Sequence, residues 1–334
     1  MSLPPPKKVT SHDVAKAAGV SQSAVSRAFT PEGKIAAKTR QRILSVARQL
    51  GYHPNAFARS LVQQKTNIVG VLMGSIDNQF YPKVLETLTA QLQANGRQVM
   101  LFSVGPDEDI EDTLLRALQY QIEAMVMTSV TLSSTVAKTF SEAGVPVILF
   151  NRYVDEPGTF AVVCDNASGG RMAADALIGA GCERLAFVGG TPNSSTNQDR
   201  KRGFVERLAE RGVALSFALE DKSYSYGWGQ RAAELLLKNK AIPDGIFCSS
   251  DTIAFGVLDA LRTRLAKRVP DDVCVIGFDD VPMAAWDAYA LSTIRQPSDA
   301  MVEAVLEILK NPDAAPVKRD LPVQLIQRNT TRPY

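Results

Sequence analysis

The sequence predicts two unlike parts: a small all-α helix-turn-helix module, then an α/β body of two lobes built on doubly wound parallel sheets. Three observations carry this. Two short helical segments near the N-terminus are joined by a glycine turn. From Asn67 onward, short apolar runs alternate with helical stretches. Charge also divides sharply: residues 1–62 hold ten Lys/Arg against Asp13 and Glu32, a net +8, whereas the remainder is −6. A basic module attached to an acidic body suits a polyanionic partner for the first part alone.

In the N-terminal part, Ser11 can cap a helix whose first turn carries Asp13, where negative charge suits the dipole. Val14, Ala17 and Ala18 share one face of that helix, and Gly19 ends it in the left-handed conformation. Val20 turns inward and Ser21 caps a second helix, Gln22 to Phe29. Val25 and Phe29 face its core, while Gln22, Ser23, Ser26 and Arg27 face outward. A third helix, Ala37 to Leu50, sets Ile43, Val46, Ala47 and Leu50 on one side before Gly51. In a helix-turn-helix the second helix enters the major groove, and Gln and Arg read base edges by paired hydrogen bonds. A three-helix bundle that never touches DNA is the plain alternative. Pro54 blocks continuation of the third helix. Asn55 can cap a segment from Ala56 to Val62, too short to be stable alone and therefore expected to fold on binding DNA.

In the body, the apolar runs are Ile68–Met73, Val99–Phe102, Ala124–Thr128, Val147–Phe150, Leu185–Val188, Gly245–Cys248 and Val273–Gly277. Near-continuous apolar strands between helices mean a parallel sheet covered on both faces. About 270 residues is large for one such sheet, so two lobes are expected. Ligands of such sheets bind beyond the strand C-termini. Polar and aromatic residues at those positions are Asp77, Asn78, Phe80, Tyr81, Asn151, Arg152, Asp165, Asn166, Ser194, Ser195, Thr196, Arg200, Tyr224, Tyr226, Ser250, Asp251, Asp279 and Asp280.

Several function classes are excluded or weakened. No apolar run approaches the roughly 20 residues that span a bilayer, so no membrane role is expected. Met1 to Thr10 is polar and proline-rich, unlike a secretory signal. Cys164, Cys182, Cys248 and Cys274 are far apart, which fits free thiols in a reducing cytoplasm and no metal site. His12 and His53 are the only histidines, and neither lies in the body, which removes the usual nucleophile–histidine pairs. No phosphate-binding glycine loop appears, and no cofactor is expected. Chemistry by carboxylates alone stays open, with Asp165 and Asp279 across a cleft.

Val9 to Arg27, Ala37-Lys38-Thr39-Arg40, Gly51-Tyr52-His53-Pro54-Asn55 and Ala58-Arg59-Ser60-Leu61 together resemble the lactose/galactose/purine repressor (LacI/GalR) family. The resemblance covers nearly the whole chain. It implies a sequence-specific transcription regulator, a repressor, with a helix-turn-helix domain over 8–53, a hinge helix and linker over 54–65, and a periplasmic-binding-protein-like core over 66–334. It divides the core into an N-lobe (66–164 plus 295–323) and a C-lobe (165–294 plus 324–334) joined by three crossovers. The expected DNA contacts are Thr10, His12, Ser21, Gln22, Ser23, Ser26, Arg27, Lys34, Lys38, Thr39, Asn55, Ala58 and Leu61. Leu61 matches the family's minor-groove wedge; a linker residue packed on the body is the alternative.

The resemblance places a small-molecule effector between the lobes; polar Asp, Arg and Asn groups with aromatic faces suit a sugar, a sugar acid or a nucleobase alike, with a sugar taken first and a sugar acid second because Arg200 could take a carboxylate. Its contacts would be Phe80, Asn151, Asp165, Ser194, Thr196, Arg200, Tyr224, Ser250 and Asp279. Arg200 would take a polar or charged group, Asp165 and Asp279 hydroxyls, and Phe80 and Tyr224 an apolar face. Many members have Asn where this chain has Ser250. Plain readings stand beside these: Phe80 as core, Asp165, Asp251 and Asp279 as helix caps, Arg200 with Asp199 as a surface pair, and Lys201 and Arg202 as a solvated face. The expected assembly is a homodimer on a pseudo-palindromic operator, since the chain ends at Arg332-Pro333-Tyr334 without a C-terminal heptad extension. The expected dimer surface includes the body helix from Pro82 to Gln93, with Val84, Leu85, Leu88 and Leu92, though most of those apolar residues could equally be intralobe core. A small-molecule-binding protein or a carboxylate-based enzyme tethered to DNA is the competing class.

Overall fold

The computed structural model describes residues 9–30, 33–54, 65–74, 78–104, 110–128, 134–154, 159–238, 242–312 and 314–333. Asn55, Ala58, Leu61 and the expected hinge helix lie outside them, as does Asp77. The chain forms two compact units, Met1–Thr66 and Asn67–Tyr334.

The first unit holds α1 (Ser11–Ala18), α2 (Gln22–Ala28) and α3 (Ala37–Leu50). Thr10, one residue before the expected Ser11, is the N-cap of α1. Its hydroxyl accepts from the Asp13 amide while the Asp13 carboxylate accepts from the Thr10 amide at 2.9 Å, a capping box. Gly19 and Gly51 end α1 and α3 in the left-handed region. Val14, Ala15, Ala18, Val25, Ala28, Ile43 and Ala47 form the core. Ala17, expected inside, is exposed and Ala15 replaces it, because the buried stripe is rotated by a residue. Leu50 is also exposed. Phe29 meets Tyr52 edge-on at 5.7 Å, fastening the end of α2 beside the end of α3.

The second unit holds two six-stranded sheets, ordered β11-β5-β4-β3-β1-β2 and β12-β10-β9-β8-β6-β7. The first contains β1 (Ile68–Met73), β2 (Gln98–Ser103), β3 (Ala124–Thr128), β4 (Val147–Phe150), β5 (Thr159–Cys164) and β11 (Lys318–Leu321). All its pairings are parallel. The second contains β6 (Leu185–Gly189), β7 (Leu215–Glu220), β8 (Gly245–Cys248), β9 (Cys274–Asp279), β10 (Ser292–Arg295) and β12 (Gln324–Ile326), the last antiparallel. The chain changes sheet after β5, after β10 and after β11, giving three crossovers.

In the first lobe, α4 (Phe80–Ala94), α5 (Ile110–Leu118) and α6 (Ser134–Glu142) cover the sheet, and α11 (Ser298–Lys310) returns to pack on α4 and β5. Alternation along β1 sends Val69, Val71 and Met73 to one face and Leu72 to the other. Val84, Leu88 and Leu92 of α4, for which the sequence leaves dimer surface and intralobe core both open, are buried in this core. The amphipathic stripe is real, but it is used within the lobe.

In the second lobe, α7 (Asn166–Gly179) lies against α8 (Ser195–Glu210), and α9 (Tyr226–Leu237) against α10 (Asp251–Asp259). The first pair is unusually close. A Cβ on Gly203 would stand 2.0 Å from the Ala167 carbonyl oxygen, and one on Gly170 would stand 2.2 Å from that of Arg200. Phe187, Phe204 and Phe247 pack together beneath α8, with centroids 5.1–6.4 Å apart. They fix Phe204, one turn after Arg200. Gly203→Ala should therefore force α7 and α8 apart and cost about 1–3 kcal/mol, the usual penalty of overpacking. Urea unfolding of the full chain checks this; an unchanged midpoint would contradict the contact.

Candidate functional site

Arg200 is 2% exposed, so it is no surface partner of Asp199. Its Nε donates to Asn166 Oδ1 at 2.8 Å and its Nη1 to the Ser249 carbonyl at 2.6 Å. Nη1 also lies 3.5 Å from Asp279 Oδ1. The guanidinium stacks 3.5 Å above the Phe278 ring centre. These contacts lock its plane and leave Nη2 buried without a partner among the described residues. Asp199 instead pairs with Arg202 and accepts from the Tyr153 hydroxyl. Lys201 pairs with Glu220, and Arg202 remains largely solvated.

Asp279 ends β9 with φ +121°, and Asp280 follows at +54°. Such backbone persists only when its surroundings hold it. Asp251, expected as a helix cap, is part of that hold. Its buried carboxylate accepts from the Val281 amide at 2.9 Å and from the Thr293 hydroxyl at 2.5 Å. Asp280 is held by Arg295 and Arg328, each at 2.7 Å. Asp279 Oδ1 accepts from Gln296 Nε2 at 2.7 Å, while Oδ2 is buried and unpartnered among the described residues. Burial raises the Asp279 pKa to about 6, against the opposing pull of Arg200 and of hydrogen bonds from Gln296 and Asn78. Burial likewise raises Asp251, and the charge of Asp279 adds to it.

The first lobe contributes from the end of β4. Asn151 has φ +62°, is 5% exposed, and donates to the Tyr81 hydroxyl at 3.5 Å. Its Oδ1 is unpartnered among the described residues, as are Arg152 Nε, Gln296 Oε1 and Thr252 Oγ1. Burial raises the Tyr81 pKa, with a smaller opposing pull from Arg152 and the Asn151 hydrogen bond. The lobes touch directly: the Tyr153 amide donates to Ser195 Oγ at 3.1 Å. Native interiors rarely leave polar atoms unpaired. Two cationic donors, Arg152 Nε and Arg200 Nη2, and three acceptors, Asn151 Oδ1, Asp279 Oδ2 and Gln296 Oε1, are left so here.

The other expected contacts divide. Phe80 is both core and wall: it is 5% exposed and lines a cavity of about 230 Å³ with Lys83, Asp279, Arg295 and Gln296. Ser194, Thr196 and Tyr224 satisfy one another, with Ser194 Oγ 2.7 Å and Thr196 Oγ1 3.3 Å from the Tyr224 hydroxyl. The Tyr224 ring lies against Gly190, where a Cβ would come within 2.6 Å of it. Asp165 caps α7, accepting from the Ser168 amide at 2.9 Å and hydroxyl at 2.6 Å. Ser250 caps α10 and is wholly buried. Asp165 and Ser250 thus serve helix starts, the plain reading for the first. Sequence reasoning marked Asn166 as a polar residue beyond a strand end without assigning it a partner, and missed Phe278 and Gln296 as partners of the central pair. Gln296 follows β10, a strand whose four residues gave no apolar run.

On the first unit, His12, Ser21, Gln22, Ser23, Ser26, Arg27, Lys34 and Lys38 are exposed, and Thr39 is half-buried. Gln22 Nε2 donates to Ser11 Oγ at 2.9 Å, and Arg27 Nε to the Ser23 carbonyl at 3.3 Å. Ser21 caps α2. The start of α2 is thus a polar, solvent-facing edge with its long side chains already oriented.

The pattern of bacterial regulatory proteins of the lacI family matches residues 10–55, and that of a periplasmic binding protein-like domain matches residues 174–331. The ribose operon repressor of Bacillus subtilis is 31% identical over 97% of this chain and 98% of its own. That of Lactococcus lactis is 30% identical, with the same coverage of each chain. Among solved structures, the lac repressor dimer bound to operator and an anti-inducer superimposes with a TM-score of 0.86 at 22% identity, covering 98% of this chain and 100% of that one. That likeness is one of fold.

Removing one member of a buried ion pair leaves the other charge unmatched, at about 3–5 kcal/mol. Arg200→Met should show a loss of that order at pH 8. The loss should shrink at pH 5, where Asp279 takes up a proton and no longer needs the guanidinium. Denaturant titrations at both pH values check this.

Proposed function

As a member of the lacI family, the chain is a DNA-binding transcriptional regulator, and we propose that a monosaccharide held between the lobes sets its hold on DNA. The observation that carries this reading is the set of buried, unpartnered polar atoms around Arg200 and Asp279, drawn from both lobes. Hydroxyls of a sugar can both donate to Asp279, Asn151 and Gln296 and accept from Arg200 and Arg152. Arg200 is already opposed by Asp279, which favours a neutral sugar. Relatives named as ribose operon repressors make a pentose the first to test. A sugar acid is the second reading, favoured by the unpartnered Arg152 Nε.

The proposed regulator is a cytoplasmic homodimer that sets two α2 helices on a pseudo-palindromic operator, in half-sites related by two-fold symmetry. Gln22 and Arg27 read bases, while Thr10, His12, Ser21, Ser23, Ser26, Lys34, Lys38 and Thr39 position the unit on the backbone. Asn55, Ala58 and Leu61, which lie outside the described residues, complete the proposed set of DNA contacts. Ligand in the cleft shifts the balance between open and closed lobes, a hinge motion about the three crossovers. To act as a switch it must favour one state by about 1–3 kcal/mol. The body carries no histidine, and Asp165 and Asp251 are bound up in structural hydrogen bonds, so the ligand leaves unchanged. It is not an enzyme.

Calorimetry of the full chain with ribose, other neutral sugars and sugar acids tests the ligand. One class should bind, and Arg200→Ala should abolish that heat while leaving DNA binding intact; unchanged affinity in the variant would refute the site. A hydroxyl donated to Asp279 favours the ionised carboxylate and lowers its pKa from about 6. Affinity should therefore be full above that pH and fall by up to about tenfold toward pH 5, which corresponds to about 1.4 kcal/mol of binding free energy. For the unliganded protein the sign reverses. The raised pKa means that stability is greatest below the ordinary carboxylate range and declines as pH rises through about 6. Asp279→Asn should flatten both profiles. For DNA, selection from random duplexes should give a pseudo-palindrome, and Arg27→Ala should relax base preference more than it weakens nonspecific binding. Equal losses on every sequence would remove the readout role.

A further inference from the structure

Thr10, not Ser11, takes the N-cap of α1 and closes the capping box with Asp13. The Ser11 hydroxyl is thereby released from the start of its own helix. It accepts instead from Gln22 Nε2 at 2.9 Å, across a separation of 11 residues in the chain. Ser11 is half-buried and opens α1, while Gln22 is exposed and opens α2. The bond ties the two helices together at the edge that faces solvent.

Both ends of the tie are fixed. Val14, Ala15 and Ala18 of α1 share one core with Val25 and Ala28 of α2. Across the turn between them, the Val20 amide donates to the Ala15 carbonyl at 3.0 Å. Neighbouring polar side chains are held within α2 and its cap: Ser23 Oγ lies 3.0 Å from Ser21 Oγ, and Arg27 Nε donates to the Ser23 carbonyl at 3.3 Å. Gln22 is held from the other helix.

A glutamine amide carries two N–H donors and one acceptor oxygen. Adenine shows the major groove an acceptor, N7, beside a donor, the N6 amine, and such an amide reads both together. An untethered glutamine must give up rotamer freedom to do so, and it can turn over and exchange its donor and acceptor. Ser11 engages one N–H. That fixes where the nitrogen sits and gives the second N–H and Oε1 a set order. We propose that Ser11 is a positioning residue for base readout, holding Gln22 in the order that selects adenine at one position of each half-site; this rests on the reading in which Gln22 contacts base edges.

The test uses the full chain and the duplex that it selects from a random library. Each base pair is replaced in turn, in both half-sites alike, and affinities are compared for the wild type, Gln22→Ala, Ser11→Ala and Ser11→Thr. One position should prefer adenine by about fivefold or more, the lower end of discrimination by a bidentate pair, and Gln22→Ala should erase that preference. Ser11→Ala should cut the same preference by about two- to tenfold, the worth of one hydrogen bond, with the preferences at other positions kept. Ser11→Thr retains a hydroxyl and should restore it. A merely structural role would weaken every duplex alike. Uniform weakening, or an undiminished adenine preference in Ser11→Ala while Gln22→Ala loses it, would overturn the positioning role alone. No change at any position in Gln22→Ala would remove the base contact and the positioning role with it. The wild-type selection decides even if a variant fails to fold, because a half-site without a preferred adenine contradicts the proposal.

Discussion

Everything in the larger unit answers to one buried guanidinium. A charge in a protein interior is tolerated only when it is matched and hydrogen-bonded. Arg200 meets that demand with Asp279, Asn166, the Ser249 carbonyl and the face of Phe278. Those partners come from α7, β9 and the loop after β8. The match stops short of completion: Nη2 and Asp279 Oδ2 are buried without a partner among the described residues. In the proposed function a hydroxylated ligand completes it.

The rigidity has sources well outside the cleft. Gly170 and Gly203 let α7 and α8 approach until backbone meets backbone, which fixes the height of Arg200. Asp251 clamps Val281 and Thr293, and Arg295 and Arg328 clamp Asp280, so the strained turn at Asp279 has little freedom. Gln296, which donates to Asp279, follows directly on β10 at the crossover into α11.

Much of this was legible in the sequence, for physical reasons. The first unit is built from local signals, caps, turn glycines and short stripes, and only the Thr10 cap, the rotation of α1 and the exposure of Leu50 differ from expectation. The seven apolar runs all became strands. β5, a buried apolar segment, was passed over, and β7, β10, β11 and β12 were not foreseen because polar or charged residues break each run. The apolar stripe of α4 gives no hint of whether it faces its own lobe or another chain. Arg200 and Asp279 were picked out by resemblance, whereas Asn166, Phe278, Gln296 and the bracing role of Asp251 depend on contacts between segments far apart in the chain. No local pattern encodes those.

The most direct test of the central claim is a high-resolution crystal structure of the full chain grown with the sugar that calorimetry selects. Density is expected between the lobes, with ring hydroxyls at hydrogen-bond distance from Arg200 Nη2, Asp279 Oδ2 and Asn151 Oδ1. A sugar bound elsewhere, or those three atoms each paired to protein with the sugar present, would contradict it.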